Sequence, residues 1–82
     1  MEIKDILIEE KEFLFLEKRK LTKQFKKAKR YILSWNLQSS NLKLKQPKSE
    51  WIYYFRINKQ FRALAFFENW FLKVFKIDNH QN

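Results

Sequence analysis

The sequence predicts a small α+β domain in which an N-terminal helical hairpin packs on one face of a small antiparallel sheet. The first part of the chain spaces its apolar residues at helical intervals among charged ones. The last part has aromatic-rich runs separated by short polar intervals, which is typical of strands joined by hairpins. With 82 residues, the chain is expected to form one domain, residues 1–82.

The N-terminal region predicts a short strand or irregular segment over 2–8, because its isoleucines are β-branched but do not alternate strictly. A first helix is expected from Glu9. Acidic residues crowd its start, and Lys18, Arg19 and Lys20 crowd its end, in the order that a helix dipole favours. Thr22 is the expected N-cap of the next helix.

The second helix is predicted from about Lys23 to Trp35 or Leu37, and it is strongly basic. One stripe is apolar, and the remaining positions carry Lys23, Lys26, Lys27, Lys29 and Arg30. Three interpretations remain open: such a helix lies on nucleic acid, lies on a membrane surface, or only packs on a core with a solvated outer face.

A loop is predicted over 38–50, which contains the only proline. Within it, the alternation over 42–45 predicts a short strand, with Lys43, Lys45 and Lys48 on the solvent side. The chain has no glycine. Its turns are therefore expected to use asparagine, the best non-glycine residue for left-handed backbone, at Asn41, Asn58, Asn69 and Asn79.

The central hairpin has the runs 51–57 and 61–67 on either side of Asn58-Lys59-Gln60. A three-residue loop sets Arg56 opposite Arg62 on one face of the sheet, whereas a two-residue turn would place them on opposite faces. We expect the three-residue loop. Like charges placed opposite each other cost stability, so the pair must gain from a ligand or from a nearby carboxylate.

Glu68-Asn69 interrupts the apolar run, and the last strand is predicted over 70–77. If the loop is Glu68-Asn69-Trp70, Phe67 pairs with Phe71. Lys76 and Asp78 then share the face of the two arginines, and His80 continues their line. The opposite, core face holds Trp51, Tyr53, Phe55, Ile57, Phe61, Ala63, Ala65, Phe67, Phe71, Phe75 and Ile77, with Lys73 as its one misfit. Ala63 and Ala65 leave room for the helices.

Charge indicates the class of partner. Eighteen Lys and Arg against nine Asp and Glu give a net charge of +9, which favours a polyanion such as nucleic acid or an acidic protein. The alternative is a charge that serves solubility alone. We expect no membrane span and no N-terminal signal, because charged residues interrupt every apolar run, and hence a cytoplasmic protein. Without cysteine there is no thiolate metal site.

The order of elements resembles the RelE/ParE superfamily of toxins from type II toxin–antitoxin modules. The resemblance covers about residues 10–80. It is carried by Phe55-Arg56-Ile57 followed by Phe61-Arg62, and by the closing Val-Phe-Lys-Ile-Asp-Asn-His ending at His80. It implies a compact fold with two helices on one face of a twisted antiparallel sheet, and a cognate acidic antitoxin as partner.

Two activities are implied by the resemblance. RelE-like members are metal-independent, ribosome-dependent mRNA endonucleases (mRNA interferases) that inhibit translation, and ParE-like members poison DNA gyrase. We expect the endonuclease, with gyrase inhibition or an inactive antitoxin-binding relic as the alternatives. Neither a metal nor a small-molecule cofactor is expected, and no membrane partner.

Site residues follow from the same resemblance. Arg62 matches the strand arginine that RelE-like nucleases use against the scissile phosphate, and His80 matches the C-terminal catalytic histidine of YoeB-like members. Those members have a tyrosine where this chain has Gln81. Their loop glutamate has no clear counterpart here, and the lysines of the loop are closer to those of RelE itself. The expected nucleic-acid-binding residues are Arg56, Lys43, Lys45, Lys48 and Lys76.

A guanidinium fork matches phosphate oxygens, and cations stabilise the charge of a phosphorane. Histidine is the side chain type that titrates near neutral pH. Arg62 and Arg56 therefore suit phosphate binding, and His80 suits proton transfer. The alternative for Arg62 is a structural clamp on the C-terminus or on an acidic residue of a neighbouring strand.

Overall fold

The computed structural model describes residues 3–34 and 42–79. Along the chain the elements are β1 (Asp5–Ile8), α1 (Glu10–Lys18), α2 (Thr22–Leu33), β2 (Lys43–Leu44), a short 3-10 helix (Lys48–Glu50), β3 (Tyr53–Arg56), β4 (Phe61–Glu68) and β5 (Phe71–Asn79). The α+β class is confirmed. The positions Trp35, Leu37, Asn41 and His80, which the sequence analysis singled out, lie outside the described residues.

The five strands form one mixed sheet in the order β1-β5-β4-β3-β2. Neighbours from β2 to β5 are antiparallel, but β1 runs parallel to β5, with Ile6 opposite Leu72. The prediction of a purely antiparallel sheet is therefore wrong. The physical reason for the extra, parallel strand is burial. β1 fills the free edge of β5, and Ile6 is thereby buried in the core, at 1% exposure.

The connection between α1 and α2 also differs from the prediction. Leu21, not Thr22, occupies the N-cap of α2, and it makes no side-chain hydrogen bond to the helix. Leu21 is buried, and its N–H donates to the Leu16 carbonyl at 2.8 Å. Lys20 turns the chain at a φ of 57°. Burial of a leucine thus takes the place of a polar cap.

The hydrophobic core draws on both helices and on one face of the sheet. Ala63 and Ala65 are fully buried, as predicted. The Phe25 ring on α2 lies 6.1 Å from that of Phe55, between ring centroids. The core residues are Ile6, Leu16, Leu21, Phe25, Ile32, Phe55, Ile57, Phe61, Ala63, Ala65, Leu72, Val74 and Ile77. We call the opposite side of the sheet, which carries Arg56 and Arg62, the outer face.

The turn between β4 and β5 has two residues, Asn69 and Trp70, and not the three on which the pairing of Phe67 with Phe71 depends. Glu68 consequently pairs with Phe71, and Phe67 pairs with Leu72. This shift of one residue brings Leu72 and Val74 into the core and moves Phe71 and Lys73 to the outer face.

A β-bulge at Phe75 then returns the residues after it, Lys76, Ile77 and Asp78, to the faces predicted for them. Leu64 pairs with Lys76 but Ala65 pairs with Val74, so that Phe75 is the extra residue of β5. The Phe75 ring lies 5.8 Å from that of Phe66. The assignment of Phe71 and Phe75 to the core was therefore wrong. Lys73 is no misfit either, because on the outer face it forms an ion pair with Glu68.

Asparagine shapes the turns in two ways. Asn69 has a φ of 52°, as expected for a turn asparagine, whereas Asn58 acts through its side chain. Its Oδ1 accepts hydrogen bonds from the N–H groups of Gln60 and Phe61, at 2.8 and 2.7 Å. Asn79 is the last residue of β5 and no turn residue. Trp51, predicted on the core face, has a φ of 53° and is 65% exposed.

Strain in the Asn69-Trp70 turn gives a first testable prediction. Trp70 has a φ of 71° and is 60% exposed, and a residue with a Cβ pays about 1–2 kcal/mol in that conformation. We expect Trp70→Gly to have a free energy of unfolding about 1 kcal/mol higher than Trp70→Ala, which keeps the Cβ. Urea unfolding of both variants measures the difference, and equal stabilities would contradict the strain.

The edge of β5 gives a second prediction. Beyond the end of β1, the Ile77 N–H donates to Glu12 Oε1 on α1 at 2.7 Å. Glu12→Ala leaves this donor without its partner, so we expect the free energy of unfolding to fall by about 1–2 kcal/mol. Glu10→Ala, an exposed substitution in the same helical turn, is the control and should change stability by less than about 0.5 kcal/mol.

Candidate nucleic-acid interface

Two rows of side chains cross the outer face near the loop 58–60. In the first row, Lys43 lies opposite Tyr54, Tyr54 opposite Leu64, and Leu64 opposite Lys76. In the second row, Arg56 lies opposite Arg62, and Arg62 opposite Asp78. These two rows therefore bring together four cations from four strands and one carboxylate, Asp78. The predicted face of the two arginines is confirmed.

The register of the arginine pair is set by the loop. The Ile57 N–H donates to the Phe61 carbonyl at 2.9 Å, and the Asn58 side chain closes the loop from within. The next pair along the hairpin, Arg56 and Arg62, is then a non-hydrogen-bonded pair, in which Cα atoms approach to about 4.5 Å and side chains lie closest. The backbones of the two arginines are thus held close together, and both side chains leave the sheet on its outer face.

Arg62 is anchored on two sides. Its Nε donates to Asp78 Oδ2 at 2.9 Å, and its Cζ lies 4.9 Å from the centroid of the Tyr54 ring. The side chains of Arg62 and Asp78 are 18% and 29% exposed. The acidic strand neighbour that the sequence analysis kept as an alternative is therefore present. Anchoring through Nε fixes the guanidinium plane, and the fork of its two amino groups is the part that binds phosphate oxygens.

Arg56 is exposed and takes part in none of the ion pairs between described residues. A cavity of about 50 Å³ lies between it and the loop, lined by Tyr54, Arg56, Asn58, Lys59, Gln60, Phe61 and Arg62. Within the described part of the chain, its lining contains three cations and no carboxylate. The cavity is therefore suited to an anionic group of small size.

The predicted lysines divide into two groups. Lys43 and Lys76 are exposed and belong to the first row, one strand away from the arginines on either side. Lys45 is half-buried, its N–H donates to the Ile52 carbonyl at 2.7 Å, and it lies farther along the sheet. Lys48 is exposed in the 3-10 helix. The structure thus brings Lys43 and Lys76 together with the arginines, but not Lys45 or Lys48.

His80 lies outside the described residues, so its placement stays a prediction. Asp78 was placed on the correct face by the sequence analysis, but its pairing with Arg62 was missed. The signal was present: a two-residue turn at Asn69-Trp70 together with one bulge in β5 sets Asp78 opposite Arg62, whereas the three-residue loop sets Lys76 there.

Among residues 3–34 and 42–79, no three His, Cys, Asp or Glu side chains come together in a group that could hold a metal ion. No helix of the described ranges is both long enough and apolar enough to cross a membrane. No protein-family model matches the chain, and no curated protein matches it either.

Proposed function

We propose that the protein is the toxin of a type II toxin–antitoxin module and acts in the cytoplasm as a metal-independent, ribosome-dependent mRNA endonuclease. The observation that carries the proposal is the arginine pair, Arg56 and Arg62, on the face of the sheet turned away from the core. Like charges so close together are unfavourable by themselves. A single carboxylate, Asp78, offsets only one of them, and a phosphodiester would offset the other.

The same proposal assigns a role to each group. Arg56 and Arg62 bind the scissile phosphate and stabilise the charge that develops on it, while Asp78 and Tyr54 position Arg62. Lys43 and Lys76 hold the flanking phosphates. His80 transfers a proton, either from the attacking 2′-hydroxyl or to the leaving 5′-oxygen.

The finer fold is part of the proposal. We propose that α1 and α2 form a helical hairpin over the core face, as in the RelE/ParE superfamily. Buried residues of both helices, Leu16, Phe25 and Ile32, join the same core as the sheet, which supports this arrangement. The arginine face then stays open to the ribosome and to mRNA, and an acidic antitoxin neutralises the net charge of +9.

Mapping of mRNA 5′ ends after induction in growing bacteria tests the proposal. We expect new 5′ ends within translated messages, and His80→Ala should lower their abundance, because the imidazole is proposed to move a proton. A gyrase poison would instead give DNA-damage signalling with intact mRNA and would not need the imidazole. Unchanged growth and intact mRNA on induction would support the inactive relic. A short acidic reading frame next to the gene would support the antitoxin.

A further inference from the structure

The exposed side of α2 is a second cationic surface, separate from the outer face of the sheet. At about 100° per residue, Lys23, Lys26, Lys27 and Arg30 fall within one arc of the helix, opposite the buried Phe25 and Ile32. All four cations are exposed. Because Phe25 and Ile32 belong to the core beneath the sheet, this surface faces away from Arg56 and Arg62.

Among the described residues, acids balance few of the cations of α2. The helix contains no Asp or Glu, and its one ion pair among described residues joins Lys29 to Asp5 at 3.2 Å. Like charges three or four positions apart destabilise a helix, and Lys23, Lys27 and Arg30 stand at those separations. The cations of α2 therefore repel one another, and a bound anionic ligand would reduce this repulsion.

An aromatic ring lies at the C-terminal end of this stripe. Tyr31 is 43% exposed, and Lys27 Nζ lies 6.0 Å from its ring centroid. A cavity of about 280 Å³ opens beside the ring, lined within the described part of the chain by Lys27, Arg30, Tyr31 and Ser34. Proteins combine an exposed aromatic ring with neighbouring cations to stack an unpaired base and to hold its phosphate.

We infer that the exposed face of α2 binds single-stranded nucleic acid without sequence preference, with its phosphates along Lys23, Lys27 and Arg30 and one unpaired base against Tyr31. A membrane surface fits less well. An interfacial helix needs a free apolar face to bury between the headgroups, and the apolar face of α2 is already used in the core. The inference does not depend on the proposed nuclease activity.

The test is the binding of a fluorescent single-stranded RNA of mixed sequence, followed by anisotropy over a series of salt concentrations. Lys23→Gln/Lys27→Gln should lose about tenfold in affinity at 0.15 M salt, and the slope of log K against log salt should become shallower by about 1.4, which corresponds to two phosphate contacts. The matched control, Lys4→Gln/Lys11→Gln, removes the same charge from two exposed lysines elsewhere.

Variants of Tyr31 distinguish base stacking from electrostatic binding of phosphate. Tyr31→Ala should lose about tenfold in affinity with an unchanged salt slope, and Tyr31→Phe should retain the affinity, because the ring and not the hydroxyl stacks. Circular dichroism establishes that each variant is folded.

Three outcomes would overturn the inference. The wild-type protein binds no RNA, the α2 variant loses no more affinity than the control pair, or the α2 variant loses binding to vesicles of anionic phospholipid while its RNA binding is intact. The last outcome would assign the surface to membranes instead.

Discussion

Arg62→Ala is expected to abolish growth arrest and to lower mRNA cleavage by at least about 100-fold while the protein stays folded. Removing one preorganised group that stabilises the charge of the transition state typically lowers the rate constant by about 10²–10³-fold. The stability cost is modest, at about 1–3 kcal/mol, because the lost ion pair with Asp78 is partly buried, its side chains being 18% and 29% exposed. Cleavage of ribosome-bound mRNA and thermal unfolding are measured on the same preparation.

Two further variants show how Arg62 acts. Arg62→Lys keeps the charge but loses the planar fork, and Asp78→Asn keeps the fork but loses the ion pair that orients it. Both should lie between the wild type and Arg62→Ala in cleavage rate. A folded Arg62→Ala protein that arrests growth as strongly as the wild type would remove the arginine from the active site and leave it a structural clamp.

Phe55→Ala is expected to have the largest effect on stability. Phe55 is 1% exposed, among the largest fully buried side chains, and its ring packs against Phe25 of α2. Truncation of a buried phenylalanine costs about 3–5 kcal/mol. A domain of this size is stable by roughly 4–12 kcal/mol in total. The melting temperature should therefore fall by at least about 12 °C, or the variant should fail to fold.

The control for this variant lies on the other side of the same sheet. Phe66 is 37% exposed on the outer face, so Phe66→Ala removes the same ring at a site that water already reaches. We expect a cost of about 1–2 kcal/mol, clearly below that of Phe55→Ala, because the Phe66 ring is only partly covered, by Phe75. Equal losses for Phe55→Ala and Phe66→Ala would contradict the assignment of the core and outer faces.

The hairpin of β3 and β4 was predictable because local chemistry determines it. Asn58 favours the loop that closes Ile57 on Phe61, and the apolar residues on either side of the loop accept only one register if they are to share a face. The position of Arg56 and Arg62 followed from these residues alone. The class of the domain followed from the change from helical to alternating periodicity along the chain.

The register of β5 was not predicted, because it depends on two irregular features. A tryptophan in a positive-φ turn is uncommon, so Trp70 was read as part of a longer loop. The bulge left a trace in the sequence that was overlooked. Lys73 and Lys76 are both polar but have opposite parity, and strict alternation cannot place both outside a core. An extra residue between them, Phe75, resolves the conflict.

The parallel pairing of β1 with β5 leaves no local trace. Ile6 and Leu72 are neighbours in the sheet although they lie near opposite ends of the sequence. Nothing in the sequence around Ile6 identifies this neighbour. The anchoring of Arg62 by Asp78 differs in this respect, because it follows once the turn and the bulge that set the register of β5 are known. The sequence therefore allowed many residues to be assigned to a face of the sheet, but it did not show which residues on neighbouring strands they contact.

The position of β5 has a consequence for synthesis of the protein. This strand is last in the order of described elements, yet it lies between β1 and β4 and supplies Leu72, Val74 and Ile77 to the core. A nascent chain whose residues 71–79 are still inside the exit tunnel has no partner for β1 and no cover for one edge of β4. The core can therefore be completed only after this segment is released, and until then its apolar residues lack part of their cover.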